Sequence, residues 1–262
     1  MTRLTIIAAA SLLLAGCASF SPDGGFGKVS QLTQERTGQG VALQRSPEDA
    51  QIAQNRVAEL LQAALTADAA VEVALLNNRG LQAKFGDLGI AESELVRAGR
   101  LKNPSLSFGR MSGGGGVEIE RTVLFDILGL LTMPMVKEVG QQRFEQAQYQ
   151  AAYDAVSLAA DVRRAYFDAV AAQELAKFYE QVKETADVSN ELAKRMLQAG
   201  NFNKLAQMRE QAFYADATAQ LARAQHQAAA QREKLIRLLG LYGEQLNFRL
   251  PQRLPELPKQ VI

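Results

Sequence analysis

Cys17 is the single cysteine of the chain, and it directly follows Leu14-Ala15-Gly16. Ahead of it, Arg3 gives a positively charged start and the run from Ile6 to Leu14 is apolar and of signal-peptide length. Small residues before a lone thiol form the pattern of an export signal. Its cleavage frees a cysteine to take a diacylglyceryl group, with palmitate as an acyl chain. The sequence therefore predicts residues 1–16 as a signal peptide and a covalent lipid on Cys17; a signal peptide with an incidental cysteine is the plainer alternative. Several acyl chains hold a protein on a membrane where one holds weakly. Ala18 and Ser19 follow with no acid beside the cysteine, which resembles lipoproteins sorted to the bacterial outer membrane. The mature chain is expected there, lipid-anchored and extending into the periplasm.

No other group has the setting of a catalyst. His226 is the sole histidine and lies in a Gln/Ala-rich helical stretch, where a surface position is expected. There is no Ser-His-Asp set, no cluster with metal-ligand spacing, and no spare thiol for disulfides or thiol chemistry. Gly113 to Gly116 lacks the Lys-Ser/Thr and helix start of a phosphate-binding loop, so it reads as a flexible bend. Met111, Met133 and Met135 carry thioethers suited to Cu(I), although three methionines in an apolar region more simply pack. The chain reads as no enzyme and as needing no cofactor besides the lipid.

Composition narrows the classes further. A net charge of +1 gives no basic footprint of the kind nucleic-acid binders carry. No run of 18 or more apolar residues exists, so no transmembrane helix is expected. Tryptophan is absent, and long tracts of Ala, Gln, Glu, Lys and Leu suit long helices.

Residues 17–45, rich in Ser, Gly, Gln and Pro, read as a lipidated N-terminal tether. Ser46-Pro47-Glu48-Asp49 then supplies a cap, a first-turn proline and two acids, a strong helix start. A second start follows at Thr66-Ala67-Asp68; Asn77, Asn78 and Gly80 weaken that helix before it resumes to about Leu101. Pro104 closes it, placing helices over 46–103.

From 104 to 133 the period changes to two. Ser105 to Gly109 and Val117 to Glu120 alternate around the glycine tract, which predicts a β-hairpin. Leu106 and Phe108 would share a face with Val117, Ile119, Val123 and Phe125. The other face would carry Ser105, Ser107, Glu118, Glu120 and Thr122. A helix can bury such an apolar face, but in an exported lipoprotein the same pattern suits a transmembrane barrel. Glu118, Glu120 and Asp126 would then face the lumen and favour cations; solvated loop acids are the alternative. Arg121 falls on the apolar face, at a cost of about 2–4 kcal/mol mid-bilayer and near zero at the interface. It is therefore expected near the outer rim, with Thr122 to Leu131 crossing the hydrocarbon.

Pro134 would end the strand, and no proline follows from Val136 to Ala199. One helix of roughly 60 residues would extend about 90 Å. Gly200-Asn201 breaks it and a second helix runs back to Leu239, stopped by Gly240, giving a long helical hairpin over 136–240. Its interior is largely small, as at Ala151, Ala152, Ala155, Leu158, Ala159 and Val162. Leu246 to Leu250 looks like a short edge strand, followed by a proline-rich exit and a C-terminal end at 259–262.

This order of elements resembles the TolC-type outer-membrane efflux proteins. The stretch from Leu65 to Asn78 is similar to the opening helix of that family's repeat. Arg100 to Ser107 is similar to its helix-to-strand passage, and Met196 to Leu205 to its helix-turn-helix tip. The matches fall in order within 46–258, as a single efflux repeat. The implied fold is mostly α: a very long antiparallel helical hairpin, supplying staves of an α-barrel, with a transmembrane β-hairpin, assembled into an oligomeric tube. Typical members are trimers carrying two tandem repeats per subunit, and here a second copy of the opening helix or the strand passage is absent. Two strands per chain cannot close a twelve-stranded barrel as a trimer. Six copies, a partner supplying the other half, or a truncated non-functional product are the alternatives.

The resemblance implies a passive conduit of an export system. Its tip at Gly200, Asn201 and Phe202 would dock a periplasmic adaptor, and an inner-membrane pump would supply the energy. The competing reading is a lipid-anchored coiled-coil spacer without a pore.

Overall fold

The computed structural model describes residues 19–113 and 116–256, with side chains left undescribed at 112–118. The elements run in order α1 (Phe26–Thr37), α2 (Pro47–Leu60), α3 (Ala67–Asn77) and α4 (Arg79–Ala98). Then come β1 (Ser105–Gly113), β2 (Gly116–Leu124), α5 (Ile127–Gln198), α6 (Lys204–Leu239) and a 3-10 turn (Gly243–Asn247). The protein is thus mostly α, with a very long helix and one two-stranded sheet, as the sequence predicts. Two compact units are present: Met1–Leu32 with Ala83–Tyr153, and Thr33–Gln82 with Asp154–Ile262.

In the first unit, the supposed tether is partly a docked helix. Val29 of α1 is fully buried, and Phe26 meets Phe85 edge-on at 5.0 Å. Ser21 donates from both its N–H and its hydroxyl to the buried Glu92 carboxylate, at 2.6 and 2.5 Å. Gln148 donates to the Gly25 carbonyl at 2.9 Å. Gly25, at φ +73°, lies so near Phe144 that an added Cβ would sit 2.3 Å from the ring. Composition suggested solvated chain here. The spacing of Phe26, Val29 and Thr33 was the opposing signal, since residues three and four apart share a helix face.

In the second unit the helix starts follow their caps. Ser46 and Asp49 form the reciprocal capping box around Pro47, at 3.1 Å in each direction. The Asp49 carboxyl is held below its ordinary value, chiefly by the Arg45 N–H and then that of Ser46. Thr66 and Asn203 cap α3 and α6 through bonds of 3.1 and 2.8 Å from Ala69 and Ala206. Asn78 ends α3 in extended backbone, and its side-chain oxygen accepts from the Leu81 N–H. The weakness read at Asn77-Asn78 is therefore a true break between two helices.

The 154–198 part of α5 rises roughly 70 Å at 1.5 Å per residue, and α6 runs back along it. Ser189 bonds Glu210 at 2.8 Å, Lys183 lies over the Tyr214 ring, and Lys234 pairs with Asp168. These partners step outward from the turn in antiparallel order. Small residues recur at the buried positions of both helices: Ala155, Ala159, Ala165, Ala186 and Ala193 on α5, and Ala217 and Ala224 on α6. Of the interior residues read from the pattern, only Leu158 is not fully buried. Tyr166 is buried with its hydroxyl donating to the Leu65 carbonyl at 3.0 Å, and burial raises its pKa.

Two segments depart from expectation. The tail over 246–250 is the end of the 3-10 turn followed by one parallel bridge, Ala64 to Arg249. The Arg232 guanidinium explains why no strand forms. It takes the Leu246 and Phe248 carbonyls at 2.9 and 2.7 Å and stacks on Phe248, so those groups are unavailable to a ladder. The hairpin also ends earlier than 133. β2 stops at Leu124, α5 begins at Ile127, and Pro134 lies inside the helix. Thr122 to Leu131 is therefore not one crossing strand. Leucine-rich sequence after a capping aspartate favours helix, and Pro134 removes a single helical hydrogen bond there.

Candidate membrane hairpin and helix-turn tip

β1 and β2 pair antiparallel from Ser105–Leu124 at the base to Gly113–Gly116 at the bend. Directly opposed residues share a face. Leu106, Phe108 and Arg110 therefore stand with Val123, Arg121 and Ile119, while Ser105, Ser107, Gly109 and Met111 stand with Leu124, Thr122 and Glu120. The segregation read from the alternation holds for Leu106, Phe108, Ile119 and Val123, whereas Phe125 falls beyond β2 and the apolar Leu124 and Met111 stand on the polar face. Among the described residues nothing covers the apolar face: Leu106, Phe108 and Val123 are 78%, 67% and 69% exposed. Each strand has nine residues, which meets the nine to eleven that a tilted transmembrane strand needs. An isolated two-stranded hairpin is marginal in water, so this element calls for a partner surface or lipid.

Arg121 opposes Phe108, the fourth pair from the base, with its guanidinium 6.0 Å from the ring centre. It is thus mid-strand and not at the rim. Arg110, opposite Ile119, puts a second cation on the same face; the alternation of β1 already contained that signal. Two guanidiniums on a lipid-facing surface need depth, snorkelling or a protein partner to offset their desolvation.

The three acids read as lumen-facing do not behave alike. Glu120 lies on the polar face, where its carboxylate accepts from the Thr122 hydroxyl at 3.4 Å. The Glu118 backbone pairs with Met111, and its side chain lies outside the described residues. Asp126 belongs to no strand. Its Oδ1 accepts from the Gly129 N–H at 2.7 Å at the start of α5, and its Oδ2 pairs with Lys102 at 3.2 Å. The Gly129 N–H first, and Lys102 second, hold its carboxyl below the ordinary value. Asp126 is a helix cap tied to the strand-entry loop, because a carboxylate at a helix N-terminus satisfies otherwise unpaired N–H groups.

Met133 and Met135 line one cleft of the first unit, but Met111 is not part of that lining. Among the described residues no group of three or more His, Cys, Asp or Glu side chains is placed to hold a metal. No described helix is long and apolar enough to cross a membrane. His226 is exposed. The lipidation predicted at Cys17, like the signal segment 1–16 and the end 259–262, lies outside the described residues.

The turn between α5 and α6 is built by backbone geometry. Gly200 is left-handed at φ +76°, and the Gly200 and Asn201 N–H groups return to the Leu197 and Met196 carbonyls at 3.1 and 2.9 Å. Asn201 is exposed, whereas Phe202 is half-buried. The apolar groups presented beside the turn are Leu192 and Leu205, both largely exposed, with Met208 one turn further. Sequence reasoning singled out the aromatic and passed over these aliphatic residues, whose exposure depends on which way each helix face points.

No family model and no curated protein matches the sequence. Solved structures do. A membrane protein from Pseudomonas aeruginosa aligns with a TM-score of 0.58 and 20% identity, over 67% of this chain and 44% of that one. CusC, solved in work on the conformational changes accompanying its folding and transmembrane channel formation, aligns with a TM-score of 0.59 and 20% identity. That alignment covers 74% of this chain and 49% of CusC. The chain thus spans about half the length of the structures it matches, and over that span it has the CusC-like channel fold.

Proposed function

We propose that this chain is an outer-membrane channel component of an efflux or export system, a passive conduit in which no residue performs chemistry. The supporting observation is the hairpin's exposed, one-sided pattern, with Leu106, Phe108, Ile119 and Val123 opposite Ser105, Ser107, Glu120 and Thr122. Apolar-out and polar-in is what a barrel wall in lipid requires. The apolar side chains left exposed along the helical hairpin, among them Phe178, Leu192 and Phe213, support a wall shared with further staves. In this reading Cys17 carries the lipid anchor, and Glu120 and Glu118 face the lumen. The chain assembles as six copies, or as a trimer when a second half is supplied. The turn at Gly200, Asn201 and Phe202 meets a periplasmic adaptor that links the conduit to an inner-membrane pump.

The two arginines on the Leu106/Phe108 face favour a second reading, in which protein covers the hairpin and the chain is a lipid-anchored periplasmic spacer. Planar-bilayer conductance and heat-modifiable gel migration separate the two. Stepwise conductance from a heat-sensitive oligomer is expected for the conduit; a detergent-independent monomer without conductance would leave only the spacer.

A further inference from the structure

In the first unit, α4 and α5 come close at Ala98 and Gly140, where an added Cβ on Gly140 would lie 3.3 Å from the Ala98 methyl. Beside this approach the helices and the strand-entry loop frame an open cleft of about 940 Å³. Its cations are Arg97, Arg100, Lys102 and Arg143; its acids are Glu94 and Asp126. Asp126 is already engaged by Lys102 and the Gly129 N–H. The cleft therefore keeps an excess of positive charge, and Arg97 and Arg143 stand exposed in it. α5 adds an apolar stripe to the lining, Met133, Met135, Val136 and Val139, most of it exposed.

We propose that this cleft holds an anionic phospholipid, its phosphate against Arg97 and Arg143 and the upper part of an acyl chain along Val136 and Val139. The inference rests on the reading of the hairpin as membrane-inserted. Charge complementarity fixes the head of the occupant, and the methionine–valine stripe fixes its tail. A free anion has no use for the apolar lining. Lys102 and Asn103 lead directly into β1, and Asp126 leads into α5, so the cleft lies at the foot of the hairpin. That is headgroup level when the strands cross the hydrocarbon, and cations near an anionic membrane surface each add measurable affinity.

The test is flotation of the detergent-purified full chain with two vesicle types, phosphatidylcholine alone and phosphatidylcholine with about one-third phosphatidylglycerol. Wild type is expected to prefer the anionic vesicles. R97Q/R143Q is expected to lose roughly thirtyfold of that preference, taking two surface cations at their usual strength. It should retain its helical circular dichroism and its binding to neutral vesicles. Equal binding of wild type to both vesicles overturns the anionic cleft while leaving hairpin insertion standing. Binding to neither vesicle overturns insertion and the cleft together. Loss of the preference in inorganic phosphate, but not in chloride of equal ionic strength, overturns the lipid in favour of a free anion. A changed oligomeric state of R97Q/R143Q with unchanged lipid preference identifies a second copy of this chain as the occupant and overturns the proposal.

Discussion

Asn77 and Gly240 interlock at the junction of α3 with the end of α6. The Asn77 side-chain amide donates to the Gly240 carbonyl at 2.8 Å and to that of Leu239 at 3.2 Å. In return, the bare Gly240 Cα admits the Asn77 backbone: an added Cβ would meet the Asn77 carbonyl oxygen at 2.7 Å. Asn78 reinforces the joint through the Leu238 carbonyl at 2.9 Å. Three carbonyls that α6 leaves unpaired at its end thus find donors on one short segment.

This joint separates two left-handed glycines that sequence alone treats alike. Gly200 and Gly240 both end long helices at positive φ, but nothing lies within 4 Å of a Cβ placed at Gly200. Gly200→Ala should therefore cost only the left-handed backbone penalty, about 1–2 kcal/mol. Gly240→Ala should cost clearly more, because the helix end must also move off Asn77. Asn77→Ala should cost about 1–3 kcal/mol by leaving carbonyls without donors. Thermal unfolding of the three variants orders them; equal midpoints for the two glycine variants would contradict this account.

Much of this architecture was legible because it rests on local chemistry. Ser46-Pro47, Thr66 and Gly200 each act within a few residues of themselves, so those helix ends could be read directly; Gly240 ends α6 where expected, but its joint with Asn77 is set at a distance. The face segregation of the hairpin followed from period two. What escaped were features decided at a distance. Glu92 and Gln148 anchor the N-terminal segment from far along the chain. Arg232 occupies the carbonyls that would have made the tail a strand. Asp126 looked like one more alternating acid, although the glycine three residues on and Lys102 make it a cap. Phe202 drew attention by type, yet Leu205 holds the exposed position, which only the packing of α5 against α6 decides.

Arg121 offers a direct measure of what touches the Leu106/Phe108 face. If that face meets lipid, Arg121→Leu removes a penalty of up to about 2–4 kcal/mol at mid-bilayer depth and strengthens membrane retention. Urea extraction of membranes should then release the variant at higher denaturant than wild type. If instead a protein surface covers the face and pairs with the guanidinium, the same change weakens assembly. Release at lower urea would favour the spacer.

The Asp126 cap carries a pH signature with a defined sign. Its folded-state pKa is lowered, so its contribution is fully present above the ordinary carboxylate value of 3.8 and is lost as pH falls through the lower folded value. The Gly129 amide resonance should shift with a midpoint below 3.8. Asp126→Asn should keep the cap acceptor while abolishing the titration. Lys102→Gln should move the midpoint upward, though less than loss of the Gly129 bond would, since the N–H is the larger cause. A midpoint at the ordinary value in the wild type would show the bond does not persist in solution.

The tip supplies the sharpest contrast between an aromatic hot spot and an aliphatic one. Adaptor docking at the α5–α6 turn can draw on the backbone reversal at Gly200 and on apolar area beside it. Gly200→Asp with Phe202→Ala should abolish adaptor pull-down without lowering membrane levels. Because Phe202 is half-buried while Leu192 and Leu205 are exposed, L192A/L205A should weaken pull-down more than Phe202→Ala alone. Buried interface aliphatics are each worth roughly 1.5–3 kcal/mol when fully covered, so losing two would lower affinity at least about a hundredfold. Phe202→Ala alone should act mainly on local stability. If L192A/L205A binds the adaptor like wild type, docking does not use this face and the conduit must engage its partner elsewhere.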